Sequence, residues 1–157
     1  MLAQRLVVFL RAPRVGSVKT RLAAEMGEAA TYVAYRQLVG TLLEGLASLP
    51  STELCFTPAD AAAEIAPWLA EAWSAHPQAS GDLGARLHAA FERHFRTGAE
   101  RVVVIGSDCP DVQPEDVAAA WDALRTHDVV LGPASDGGYW LIGLRHPQAG
   151  LFAAMPW

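Results

Sequence analysis

At 157 residues, 52% hydrophobic and 18% charged, the chain is large enough for one domain with a real core and too apolar to be disordered as a whole. A net charge of −5 and a pI near 5.4 speak against a nucleic-acid partner, which calls for a basic excess. They leave room for a nucleotide, which needs only a local cationic cluster. Two cysteines, Cys55 and Cys109, make no disulfide framework and are expected as buried thiols in a reducing cytosol. The apolar start from Leu6 to Leu10 is cut off by Arg11, too short for a signal segment, and no run approaches membrane-spanning length. The reading is a cytoplasmic protein without a membrane span.

Arg5 to Leu10 is a short apolar run and the predicted first strand. The loop from Arg11 to Arg21 follows, with the cations Arg11, Arg14, Lys19 and Arg21 around Pro13 and Gly16. Gly27 interrupts any helix begun at Thr20. Tyr32, Tyr35, Val39, Leu42, Leu43 and Leu46 then recur at helical spacing until Pro50 stops them. Leu54 to Thr57 predicts a second strand. Ala61 to Trp73 is alanine-rich and helical in part, with Pro67 opening its last turns. Ser74 to Ser80 reads as a loop or edge strand.

Gly81-Asp82-Leu83-Gly84 starts a further helix, with Leu87, Ala90, Phe91 and Phe95 on its buried face. Arg101 to Ile105 is a run of β-branched residues, read as a central strand covered on both faces. Pro114 to Arg125 is a helix, Val129 to Leu131 a strand, Gly132 to Gly138 a turn, and Tyr139 to Leu144 a last strand. No repeat or linker divides the chain. Alternating strands and helices imply a three-layer α/β/α domain spanning 1–157 with a mainly parallel sheet.

The central strand stops abruptly in Gly106-Ser107-Asp108-Cys109-Pro110-Asp111. In open parallel sheets, ligands bind at the carboxyl ends of such strands. Two carboxylates three residues apart there suit a hard cation carrying phosphates. Asp108 is the favoured metal ligand. Asp111 is equally readable as a ligand or as the cap of the helix that Pro114 opens.

Strand, cationic loop and helix, in that order, is a geometry that cradles phosphate. The loop is not a Walker A motif, and Gly-x-Gly-x-x-Gly is absent. A solvated basic loop is the plain alternative. The acidic balance of the whole chain favours a phosphate site built from Arg11, Arg14, Gly16, Lys19 and Arg21. Asp82 reads first as a helix cap, while Gly81 and Gly84 also let a base or ribose approach the backbone. Asp136-Gly137-Gly138-Tyr139 is readable evenly as a turn between strands or as an acceptor site, with Asp136 as base or acceptor-orienting residue. His88 and Glu92 share a helical face but lack a third metal ligand. The five tryptophans read as core or interface, and Trp140 adjoins the acceptor turn.

Four segments together resemble one family: Arg11 to Pro13 with Gly16 to Leu22, Gly81 to Leu87, Ile105 to Asp111, and Gly132 to Tyr139. The set is similar to the bacterial family of domain of unknown function 2064, which is glycosyltransferase-A-like. The resemblance implies a Rossmann-like nucleotide-diphospho-sugar transferase fold, with Lys19-Thr20-Arg21 on the nucleotide phosphates and Gly81 to Gly84 near the base or ribose. It implies Asp108 as the metal aspartate, with Mg²⁺ or Mn²⁺ as the expected ion. Gly137, Gly138 and Tyr139, in the turn beside Asp136, are expected against a small acceptor. Members of that family continue past Pro156-Trp157 with a strand, a helix and an acidic segment that can supply a second metal ligand. Here the sequence ends on Phe152, Met155 and Trp157, an apolar end expected to pack on a partner copy as a homodimer.

The expected activity is metal-dependent transfer from a nucleoside-diphosphate sugar. The alternatives are nucleotidyl transfer with release of pyrophosphate, of guanylyl or cytidylyl type, and a non-catalytic nucleotide-binding domain.

Overall fold

The computed structural model describes residues 3–14, 19–135 and 137–154. The strands are β1 (Gln4–Arg11), β2 (Thr52–Thr57), β3 (Ser74–Pro77), β4 (Arg101–Gly106), β5 (Val129–Pro133) and β6 (Tyr139–Leu144). The helices are α1 (Thr20–Met26), α2 (Glu28–Gly45), α3 (Ala62–Ile65), α4 (Leu83–Arg96), α5 (Pro114–Ala123) and α6 (Ala149–Ala154). The sheet order is β3-β2-β1-β4-β6-β5. β3, β2, β1 and β4 pair in parallel, and β6 runs against both of its neighbours.

The apolar runs are unbroken because both faces of the sheet are covered. Leu6, Val8, Leu10, Val103 and Ile105 point to one layer, where Tyr35, Val39 and Leu42 of α2 meet Val117 and Trp121 of α5. Val7, Phe9, Val102 and Val104 point to the other, under Leu87 and Phe91 of α4 and Phe152 of α6. β1 and β4 lie side by side in the middle, with Leu6 level with Val103 and Val8 with Ile105. The expected three-layer architecture and mainly parallel sheet are therefore present.

Some local expectations hold and others shift. Gly27 divides the helical stretch as its φ of 89° requires, closing α1 and opening α2. The stretch from Ala61 to Trp73 holds only α3 and a 3₁₀ turn, Ala66–Trp68, because Pro67 ends the α-helical ladder. Asp111 does not cap α5. Gln113 does, in a reciprocal box in which the Gln113 amide donates to Asp116 Oδ2 at 2.9 Å. Asp111 lies two residues too early to reach that turn. Cys55 is buried as expected, and burial pushes its thiol up to about 12. Cys109 is only half-buried, since it sits in the turn beyond the end of β4. α6 was not foreseen. It folds Phe152 back to stack on Phe91, ring centres 5.6 Å apart, so this part of the apolar end is covered by the chain itself. Met155 and Trp157 lie outside the described residues.

One charged group sits deep in the second layer. Glu53 of β2 is 6% exposed and takes both guanidinium nitrogens of Arg93 from α4, each at 2.7 Å. His94 Nε2 comes within 3.2 Å of Oε1 but off a hydrogen-bonding line, so Arg93 carries the neutralisation. Burial alone would push the Glu53 carboxyl up. Arg93, with His94, more than reverses this and holds it at about 2. A depressed carboxyl stabilises the fold fully above its ordinary value of 4.5, and that contribution drains away as pH falls toward 2. Glu53→Gln is expected to cost about 3 kcal/mol at pH 7, and the gap from wild type should narrow between pH 4.5 and 2. Urea midpoints measured across that range check both statements.

Candidate functional site

An open cleft of about 310 Å³ lies at the carboxyl ends of β1, β2 and β4. Phe9 and Leu10 form part of its floor, and Arg11, Lys19, Arg86 and Asp108 stand around it. Among the described lining residues, three cations face one carboxylate. A chain with net charge −5 thus carries a locally cationic cleft.

The cleft is held by bonds that the sequence reading did not find. The Tyr35 hydroxyl, on α2, donates to the Arg11 carbonyl at 2.7 Å and accepts from the Arg11 amide at 3.0 Å. Burial pushes this phenol up, so it stays protonated and serves both bonds. Buried Ser107 stands beside it. On the opposite wall, Gln78 Nε2 donates to the Cys55 carbonyl at 3.1 Å and the Leu10 carbonyl at 3.4 Å. Gln78 Oε1 accepts from Arg86 Nη1 at 3.1 Å, and Arg86 Nε donates to the Gly81 carbonyl at 2.8 Å. This chain of bonds ties β1 and β2 to the start of α4 and fixes the Arg86 guanidinium at the cleft wall. Tyr35 was legible only as a buried helix position. Arg86 lay inside a quoted motif, but nothing in the spacing showed that it would meet Gln78.

Asp108 is exposed, with 72% of its side chain open, and its Oδ1 accepts from Lys19 Nζ. Lys19 precedes α1 with φ 48°, in the left-handed region, and its side chain reaches Asp108 beyond the end of β4. Arg11 lines the cleft, while Arg14 turns away to Glu64 at 2.7 Å and Asp60 at 3.0 Å. Gly81 has φ 108°, and a Cβ there would stand 3.0 Å from that of Ala85. Asp82 is spent as the cap of α4, accepting from the Ala85 amide at 2.8 Å. Gly84 is buried in the first turn of that helix. Asp111 is exposed and does not line the cleft. Gly16 and Asp136 lie outside the described residues, as does the side chain of Arg21.

The reversed β6 brings the remaining motif to the same end. Ile105 pairs with Leu141, so Tyr139 stands two residues further along, past the end of β4. The Gly138 carbonyl accepts from the Ala134 amide at 2.7 Å and closes the turn between β5 and β6. Tyr139 is 44% exposed there. Gly132 leaves room for Trp140, whose ring atoms would stand 2.7 Å from any added Cβ. A second hollow of about 120 Å³ opens under Tyr139 and Trp140 and shares Phe9, Leu83 and Gly106 with the first.

The model of the family described as an uncharacterized protein conserved in bacteria, DUF2064, matches residues 43–157. The chain belongs to DUF2064. The match includes the Gly81, Asp108 and Gly132 to Tyr139 segments and leaves the cationic loop before α1 outside it. This DUF2064 chain is 32% identical over 123 residues to a phosphoenolpyruvate guanylyltransferase of Mycolicibacterium smegmatis, covering 76% of this chain and 55% of that protein. It therefore spans about half the length of that curated relative. A solved structure from Desulfovibrio desulfuricans G20, described provisionally as a nucleotide-diphospho-sugar transferase, superposes with a TM-score of 0.91 at 36% identity, over 100% of this chain and 70% of that one. Rv0371C of Mycobacterium tuberculosis H37Rv, solved as a manganese complex, shares the fold at TM-score 0.57 and 22% identity, over 97% and 76% of the two chains. No described helix of the DUF2064 chain is long and apolar enough to cross a membrane.

Replacing Tyr35 by Phe removes both bonds to Arg11 while keeping the ring. The expected loss is about 2 kcal/mol, seen as a lower urea midpoint with an unchanged slope.

Proposed function

We propose that this chain is the nucleotide-binding part of a nucleotidyltransferase, in which an acceptor oxygen attacks the α-phosphorus of a nucleoside triphosphate. The new bond joins that oxygen to phosphorus, the bridge to the β-phosphate breaks, and pyrophosphate leaves. The observation that carries this reading is the Lys19–Asp108 pair at the mouth of a cationic cleft. Each partner neutralises the other at the point where a polyphosphate and its counter-ion would separate them. Lys19, Arg11 and Arg86 would then face phosphate oxygens. The turn at Gly81 would lie under the base or ribose. The guanylyltransferase named above supports nucleotidyl transfer.

A divalent ion fits one part of this site and not another. Among the described residues, no group of three or more His, Cys, Asp or Glu side chains could hold a metal alone. Asp108 offers one open carboxylate, which suits Mg²⁺ or Mn²⁺ carried mainly by substrate phosphates. When bound, such an ion offsets phosphate charge and stabilises the leaving group. Asp108 would hold it, and Lys19 would keep the phosphates beside it.

Transfer from a nucleoside-diphosphate sugar is the second reading, favoured by the Desulfovibrio structure that the whole chain matches. The products separate the two. Pyrophosphate released from GTP or another triphosphate with Mg²⁺ supports the first, and nucleoside diphosphate released from a sugar nucleotide supports the second. Absence of both products would overturn the assignment as a transferase.

Asp108→Asn should abolish metal-dependent stabilisation by nucleotide, about 2.7 kcal/mol at a hundredfold excess over Kd, without unfolding the exposed site. Lys19→Ala should weaken nucleotide binding about ten- to a hundredfold, as expected for a lost charge-assisted bond. Thermal shifts with and without Mn²⁺ read out both variants.

A further inference from the structure

The 120 Å³ hollow under Tyr139 has a chemistry that the phosphate cleft lacks. None of its described lining residues is charged. Phe9, Val104 and Ile142 form its floor and wall, and Leu83, Tyr139 and Trp140 form its rim. Two of those rim residues are conspicuously open for large apolar side chains, Leu83 at 46% and Tyr139 at 44% exposed. Both belong to motifs at the mouth of the cleft, one opening α4 and one opening β6. The hollow meets the cleft at Phe9, Leu83 and Gly106, so one ligand can reach both.

Resting on the transferase reading above, we propose that the acceptor is an amphiphilic small molecule. Its anionic or hydroxyl-bearing end lies in the cationic cleft, and a compact hydrocarbon group fills this hollow. Size limits that group. Cavities of about 150 Å³ lined by Leu, Ile and Phe hold benzene, so this slightly smaller one admits a branched group of four or five carbons. Tyr139 and Leu83 are the specificity-determining residues, closing over the hydrocarbon from opposite strand and helix starts. The polar end lies at the mouth of the cleft, beside the nucleotide phosphates that Arg11, Lys19 and Arg86 hold. A short, purely polar acceptor would leave Leu83 and Tyr139 facing water, while a branched one removes both from it.

The probes are 3-methylbutyl phosphate and methyl phosphate, titrated into the full chain by calorimetry. They share the anionic end and differ by four carbons. The branched probe is expected to bind at least tenfold more tightly, since each buried CH₂ contributes on the order of 0.8 kcal/mol. Equal affinities would overturn the proposal. In Tyr139→Ser, and separately in Leu83→Ser, the preference should fall to threefold or less while melting stays cooperative. Persistence of the full preference in both variants would place the hydrocarbon elsewhere and overturn it too. Nucleotide binding is measured in parallel. A branched-probe preference without any response to nucleotides would sink the transferase reading and leave the hollow assigned. Nucleotide binding without that preference would sink the hollow alone.

Discussion

The direction of one strand governs the site. β6 enters the sheet against β4, while β3, β2, β1 and β4 all run the same way. Its first residues therefore arrive where the parallel strands leave off. That places Tyr139 and Trp140 beside Gly106, within reach of the loops that follow β1 and β4. A parallel β6 would have delivered the same motif to the opposite end of the molecule. The topology, more than any single contact, brings four separated sequence motifs to one rim.

The two ends of the sheet are used differently. At the amino ends, buried Glu53 pairs with half-buried Arg93 and locks β2 to α4. At the carboxyl ends, the polar side chains are open and the backbone is held by Tyr35, Gln78 and Arg86. Fixing the main chain while leaving Asp108 exposed keeps a charged group ready without the desolvation cost of burying it. Lys19 can then be exchanged for another partner at little cost, since exposed ion pairs contribute under about 1 kcal/mol.

Much of this was legible in the sequence because burial on both faces leaves a plain signal. Val102 to Ile105 could hardly be anything but a central strand, and Gly27 marked a real break. Gly106 to Asp108 followed as a strand end, and the cationic loop fell beside it because β1 and β4 are neighbours. Asp111 misled because a carboxylate before Pro114 looks like a cap, whereas Gln113 and Asp116 satisfy that turn themselves. Arg14 could not be separated from Lys19 by sequence, since its pairing with Glu64 and Asp60 is set by how α3 packs. The Tyr35 and Gln78 bonds join residues far apart in the chain and have no local signature. α6 was missed because six residues carry too little periodicity to be seen.

The two outermost strands have a bearing on solution behaviour. β3 is four residues long and ends in Pro77, and β5 ends in Gly132-Pro133, where its pairing with β6 slips register. Proline cannot donate to a ladder, and an irregular rim twists away from a flat neighbour. Neither flank of the described sheet offers a long straight ribbon to a second molecule. Unwanted stacking of copies edge to edge is thereby discouraged.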